Sequence, residues 1–107
     1  MFWHTIKLLT IVSEVPLTKG VFKLNLLGLR YFIAVADYTS FTKAAEHLFV
    51  TQPTLSRQIM DLENEIGTPL FIRSHHSLKL TNAGNRFLKE AIRIVNEIDN
   101  LKKIVNP

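Results

Sequence analysis

A chain of 107 residues with 47% apolar content is long enough for one packed core, too short for two, and too apolar to stay disordered. The absence of cysteine excludes a disulfide framework and thiolate chemistry. The net charge of +4 hints at a polyanionic partner, but Ser40 to Thr81 holds four cations (Lys43, Arg57, Arg73, Lys79) against four acids (Glu46, Asp61, Glu63, Glu65). Placement of charge, rather than its total, must do the electrostatic work.

In chain order, residues 1–23 come first and read as an N-terminal extension. Ile6 to Val12 is an apolar run too short to span a bilayer. His4 and Lys7 make a poor positive region and no small-residue cleavage site follows, so a secretory signal is not expected. Pro16 and Gly20 punctuate the segment like a linker.

Asn25 then caps a helix from about Leu26 to Asp37, with Leu26, Leu29, Phe32, Ile33 and Ala36 as its buried stripe and Arg30 and Tyr31 off it. Ser40 caps a second helix, and Phe41 plugs the core just after the cap. Ala44, Ala45 and Leu48 give this helix a small apolar face that lets another helix approach closely. Ser40, Thr42 and Lys43 stand where a hydroxyl, an ammonium or the helix N-terminus reaches a phosphate; plain solvation is the bland alternative for Lys43.

Phe49-Val50-Thr51 makes a tight turn, and Thr51 caps a third helix with Gln52 and Pro53 in its first turn. Leu55, Ile59, Leu62 and Ile66 recur along one face until Gly67 and Pro69 stop the helix. Opposite that stripe lie Pro53, Arg57 and Asn64, flanked by Thr54 and Asp61 on one side and Ser56 on the other. Hydrogen-bonding groups fill the N-terminal half of this helix, and the acids Asp61, Glu63 and Glu65 are confined to the C-terminal half. A helix that enters the major groove by its N-terminal end shows this polarity. A solvated face has similar residues, but two capped helices joined by a tight turn are helix-turn-helix grammar.

After Gly67, Leu70 to Arg73 and Leu78 to Leu80 are short β-prone segments around a polar tip, Ser74 to Ser77, which predicts a two-stranded wing. Leu70 with Ile72, or Phe71 with Leu80, covers the core edge while Arg73 and Lys79 face outward. His75 and His76 invite a metal reading. Adjacent side chains on a hairpin project in different directions, however, and no third ligand stands at a recognisable spacing, so none is expected. No catalytic triad, phosphate loop or paired-carboxylate pocket is legible, which argues against an enzyme.

Thr81 caps a final helix from Asn82 to about Val105, with Ala83 and Gly84 allowing a close crossing at its start. Leu88, Ala91, Val95, Ile98, Leu101 and Val105 then follow in steps of three and four, broadened by Phe87, Ile92 and Ile94. That is more apolar surface than a small core covers, although Phe87 and Ala91 belong partly to this chain's own core. The surplus predicts an antiparallel or oblique helix pair in a homodimer.

Three stretches together resemble the DNA-binding domain of LysR-type transcriptional regulators. They are LRYFIAVADYTSFTKAAEHL, TQPTLSRQIMDLENEIGTPLF and the hairpin closed by Leu80-Thr81-Asn82-Ala83-Gly84. The resemblance begins near Leu24, which favours reading residues 1–23 as upstream sequence brought in by a misplaced start, over a loose arm or a short docked element.

The resemblance implies a mainly α fold: a winged helix-turn-helix over residues 24–81, with a small two-stranded β wing, followed by a long C-terminal dimerisation helix over 82–107. It implies a dimeric, bacterial, cytoplasmic transcription factor that binds double-stranded DNA, without cofactor, metal or membrane. Gln52, Pro53, Thr54, Ser56 and Arg57 are then the contacts to base edges and adjacent phosphates, while Thr51, Thr42, Lys43 and Arg73 position the backbone. Similar proteins usually carry a second wing arginine three residues after the first. His76 stands there instead, without the fixed charge of an arginine, which weakens the wing contact that the resemblance implies. Similar proteins also continue into a larger effector-binding domain, so a small-molecule effector is not expected to bind this chain, whether it is a truncated regulator or an orphan module. The competing reading is an interaction module whose last helix pairs with a full-length relative and titrates it.

Overall fold

The computed structural model describes residues 24–107; the N-terminal extension expected over residues 1–23 lies outside the described residues. The described chain runs α1 (Leu26–Tyr38), α2 (Phe41–Leu48), α3 (Gln52–Ile66), β1 (Phe71–Ser74), β2 (Ser77–Leu80) and α4 (Asn82–Val105). Each helix starts at the cap expected from its sequence. The side chains of Asn25, Ser40, Thr51 and Thr81 accept from the backbone N–H groups of Gly28, Lys43, Thr54 and Gly84 respectively.

Phe32 is the centre of the core. It is fully buried, its ring lies 5.2 Å from Phe71 of the wing, and it meets Phe87 of α4 edge-on at 5.0 Å. Ala44, Ala45, Leu55, Ile59, Leu62 and Leu70 close around it. The buried line of α1 is Leu29, Phe32 and Val35, so Val35 takes the place expected for Ala36. Leu26, Ile33 and Ala36 are half-buried on its flanks. The α3 stripe ends at Leu62, since Ile66 stands at the helix terminus and is 36% exposed.

The turn between α2 and α3 is made by Phe49 in the left-handed region (φ 58°), with its side chain 95% exposed. The N–H of Val50 reaches back to the Ala45 carbonyl at 3.1 Å and closes the helix end. Gly67 ends α3 at φ 88°, where a side chain would be strained.

β1 and β2 pair antiparallel, with Phe71 opposite Leu80 and Ser74 opposite Ser77, so the strands extend further than expected and the tip shrinks to His75-His76. Of the two covering schemes, Leu70 and Phe71 go in, Leu80 is half-buried, and Ile72 is 54% exposed. The wing's base is fastened to α4 by Thr81, whose hydroxyl donates to the Pro69 carbonyl at 2.8 Å while its N–H donates to the Leu70 carbonyl at 3.0 Å. Gly84 is needed at this crossing because a Cβ there would stand 2.1 Å from the Leu70 carbonyl oxygen. The close approach is to the strand base rather than to another helix.

α4 packs along α1 through a second cluster of Leu29, Ala91 and Val95, and Arg30 of α1 pairs with Asp99 at 3.0 Å. This corrects the expected dimer seam. Ala91 and Val95 are 1% and 8% exposed inside the chain, and Leu88 packs on the main core. The apolar residues of α4 left exposed are Ile92, Ile94, Leu101, Ile104 and Val105, and the half-buried Ile98 joins Ile94, Leu101 and Val105 in one strip at i, i+4, i+7 and i+11. Among the described residues no helix is long and apolar enough to cross a membrane.

Candidate nucleic-acid interface

The outward face of α3 is built from the cap inward. Thr51 leaves the turn extended, and its hydroxyl oxygen accepts from the Thr54 N–H at 3.3 Å while donating to the Thr54 hydroxyl oxygen at 2.8 Å. The pair fixes the Thr54 rotamer and leaves its hydroxyl hydrogen for an outside acceptor. Pro53 has no N–H to satisfy, so the helix begins without an orphan donor at that position. Gln52, Pro53, Thr54 and Arg57 are exposed and Ser56 is half-buried. Among the described residues Arg57 forms no ion pair, so its guanidinium keeps all of its donors for a partner.

Thr42 and Lys43 are exposed at the start of α2, where Ser40 takes the Lys43 N–H. The N–H of Ala44 makes the first intrahelical bond, to the Ser40 carbonyl, so the Thr42 hydroxyl, the Lys43 ammonium and the first N–H groups of α2 stand together at this end. The sequence places these groups and the start of α3 on elements that pack together through Ala44, Ala45 and Leu55.

The wing brings less free charge than its sequence suggests. Arg73 lies with its guanidinium carbon 4.6 Å above the Phe41 ring and one nitrogen 3.6 Å from a Glu63 oxygen. Arg73 faces outward and stays exposed, with its guanidinium partly engaged by the Phe41 ring and the Glu63 carboxylate. Lys79 and both tip histidines are exposed, and the imidazoles of His75 and His76 stand 6.3 Å apart at the tip. Among the described residues, no group of three or more His, Cys, Asp or Glu side chains is placed to hold a metal ion.

The sequence marks Glu63 only as one of the acids in the C-terminal half of α3. Its Oε2 accepts the N–H groups of Leu70 and Phe71 at 2.7 and 3.2 Å, and its side chain is 16% exposed. It thus joins α3 to β1 and removes one carboxylate from the outward face. A half-buried acid eight residues before a strand gives no periodic signal, so only tertiary structure reveals the tie.

The model of the lysR family of bacterial regulatory helix-turn-helix proteins matches residues 26–85, α1 through the first turn of α4. The chain belongs to the LysR family. Among its relatives, the Hca operon transcriptional activator HcaR of Escherichia coli K12 is 48% identical over 79 residues, 74% of this chain and 27% of HcaR. The chain thus spans about a quarter of that relative's length. The DNA-binding domain of BenM, solved in complex with catB site 1 DNA, superposes with a TM-score of 0.74 at 41% identity, covering 77% of this chain and 91% of that one. The DNA-binding domain of CbnR, solved with DNA, gives 0.74 at 38% identity, covering 77% and 94%. The fold is the family's winged helix-turn-helix, and the family is one of transcriptional regulators rather than enzymes.

Proposed function

We propose that this LysR-family chain binds double-stranded DNA sequence-specifically as a dimer and acts in transcription regulation. The observation that supports this is the uncovered outward face of α3, where Gln52, Pro53, Thr54 and Arg57 are exposed on a helix whose other side is fully committed to the core. Residues 24–81 are the reading head and 82–107 the linker that pairs two heads. Gln52 and Arg57 have the side chains that pair bidentately with adenine and guanine, with Thr54 and Ser56 beside them. Thr51, Thr42, Lys43 and, in part, Arg73 and His76 act on the sugar-phosphate backbone. Two copies joined through Ile94, Ile98, Leu101 and Val105 present their α3 helices about a two-fold axis. A cytoplasmic site of action goes with this reading.

Selection from a random DNA pool with the purified chain tests it. The expected result is a dyad-symmetric sequence with half-sites about one helical turn apart. A pool that shows no enrichment at any salt concentration would sink the proposal. The exposed strip on α4 equally suits pairing with a longer relative, so the second reading is an interaction module. In gel shifts that role gives little binding by this chain alone and loss of the relative's own complex.

A further inference from the structure

Beyond Pro53 in its first turn, the outward face of α3 carries a large flexible apolar side chain. Met60 is 52% exposed, although the helix has a fully buried side on which to spend apolar residues. At about 100° per residue it lies within about 60° of Pro53, Ser56, Arg57 and Asn64, and well over 90° from Leu55. It follows Gln52 by eight positions, which is about 12 Å along the helix axis. Met60 therefore belongs to the same face as the proposed base contacts, one turn beyond Ser56 and Arg57. It leans to the Ser56 and Glu63 side of that face, and Glu63 is the residue that holds the wing. Because the Glu63 carboxylate is turned into the wing backbone, no free acid from that position repels a nucleic acid beside Met60.

A thioether has no donor and is a weak acceptor, so Met60 cannot distinguish the hydrogen-bonding edges of guanine, cytosine or adenine. The major groove offers one apolar feature, the 5-methyl group of thymine. An unbranched side chain with three rotatable bonds can settle on such a methyl over a range of approach angles. We propose that Met60 is a specificity-determining residue that reads a thymine 5-methyl group in each half-site, on the wing side of the Ser56 and Arg57 contacts. This assignment rests on the proposal that α3 enters the major groove.

The test uses the full chain and the sequence it selects from a random pool. Each thymine is replaced in turn by deoxyuridine, which removes the methyl and keeps the base pair. For the native protein, one replacement per half-site is expected to weaken binding by about fourfold, the equivalent of one buried methyl group. Met60→Ala should bind the thymine site more weakly and become indifferent to uracil at that position, and Met60→Gln should be indifferent too. Circular dichroism of both variants should match the native chain, since Met60 is not part of the core. A deoxyuridine scan that is flat for the native protein, or a methyl preference that survives in Met60→Ala, overturns the assignment while leaving groove reading intact. Failure to select any sequence overturns groove reading, and this assignment with it.

Discussion

Glu63 of α3 accepts a hydrogen bond from the backbone N–H of Leu70 at 2.7 Å, at the point where the chain turns into the wing. The same oxygen takes the Phe71 N–H at 3.2 Å, and the other carboxylate oxygen lies 3.6 Å from Arg73. One side chain therefore sets the position of the wing relative to α3, and the proposed reading of DNA by these two elements together requires that spacing to be rigid.

Glu63→Ala leaves two backbone donors at the base of β1 without their acceptor. Hydrogen bonds to charged acceptors contribute about 1.5–3 kcal/mol, and the low exposure of Glu63 argues for that range rather than a surface value. The variant should show a lower denaturant midpoint at unchanged slope. Glu63→Gln, which keeps an acceptor oxygen but loses the charge near Arg73, should lose less. Equal midpoints for Glu63→Ala and the native chain would show that water replaces the carboxylate without cost.

Local chemistry was the legible part of this fold. Caps at Asn25, Ser40, Thr51 and Thr81 depend on contacts three residues away, and all four hold. The helix-turn-helix register follows from them and from the Leu55–Ile59–Leu62 stripe. What stayed hidden depends on contacts far apart in sequence. Nothing near Glu63 says that it will meet Leu70, and nothing near Arg73 says that Phe41 will lie beneath it. On α4 the apolar band was wide enough for two partners, and its division between them is set by α1 packing on Ala91 and Val95. The place of Met60 on the outward face follows from its helical angle, whereas its exposure depends on how α3 packs in the domain.

That division makes the dimer proposal sharp. Leu101 is 59% exposed on the uncovered strip, whereas Ala91 is buried against Leu29. Leu101→Asp should leave the thermal midpoint of a dilute monomer nearly unchanged but shift sedimentation equilibrium toward monomer. Binding to a two-half-site DNA should weaken much more than binding to a single half-site, because the second contact loses its high effective concentration. A variant that sediments like the native chain would move the pairing surface elsewhere.

At the wing tip, His76 stands exposed beside His75 on a two-residue turn. Narrow A·T-rich minor grooves concentrate negative potential, which attracts an inserted arginine. His76→Arg is therefore expected to tighten binding at moderate salt, most of all where A·T-rich sequence flanks the half-sites, and to steepen the salt dependence by about one unit of log–log slope. Identical isotherms for the two proteins on A·T-rich and G·C-rich flanks would show that the tip stays clear of the duplex.

Arg57 is the most direct probe of the reading head. It is exposed in the middle of the outward face and, among the described residues, has no ionic partner whose loss would confuse the result. If its fork pairs with a guanine edge, Arg57→Ala should cost about 1–3 kcal/mol on the selected site and relax preference at one base pair per half-site. If it clamps a phosphate instead, the loss is uniform across sequences and the salt slope falls by about one. Titrating the variant against the selected site and its single-base variants at two salt concentrations separates these outcomes. The proposed role for Arg57 predicts the first pattern. Undiminished affinity on every sequence would mean that α3 presents some other face to its partner.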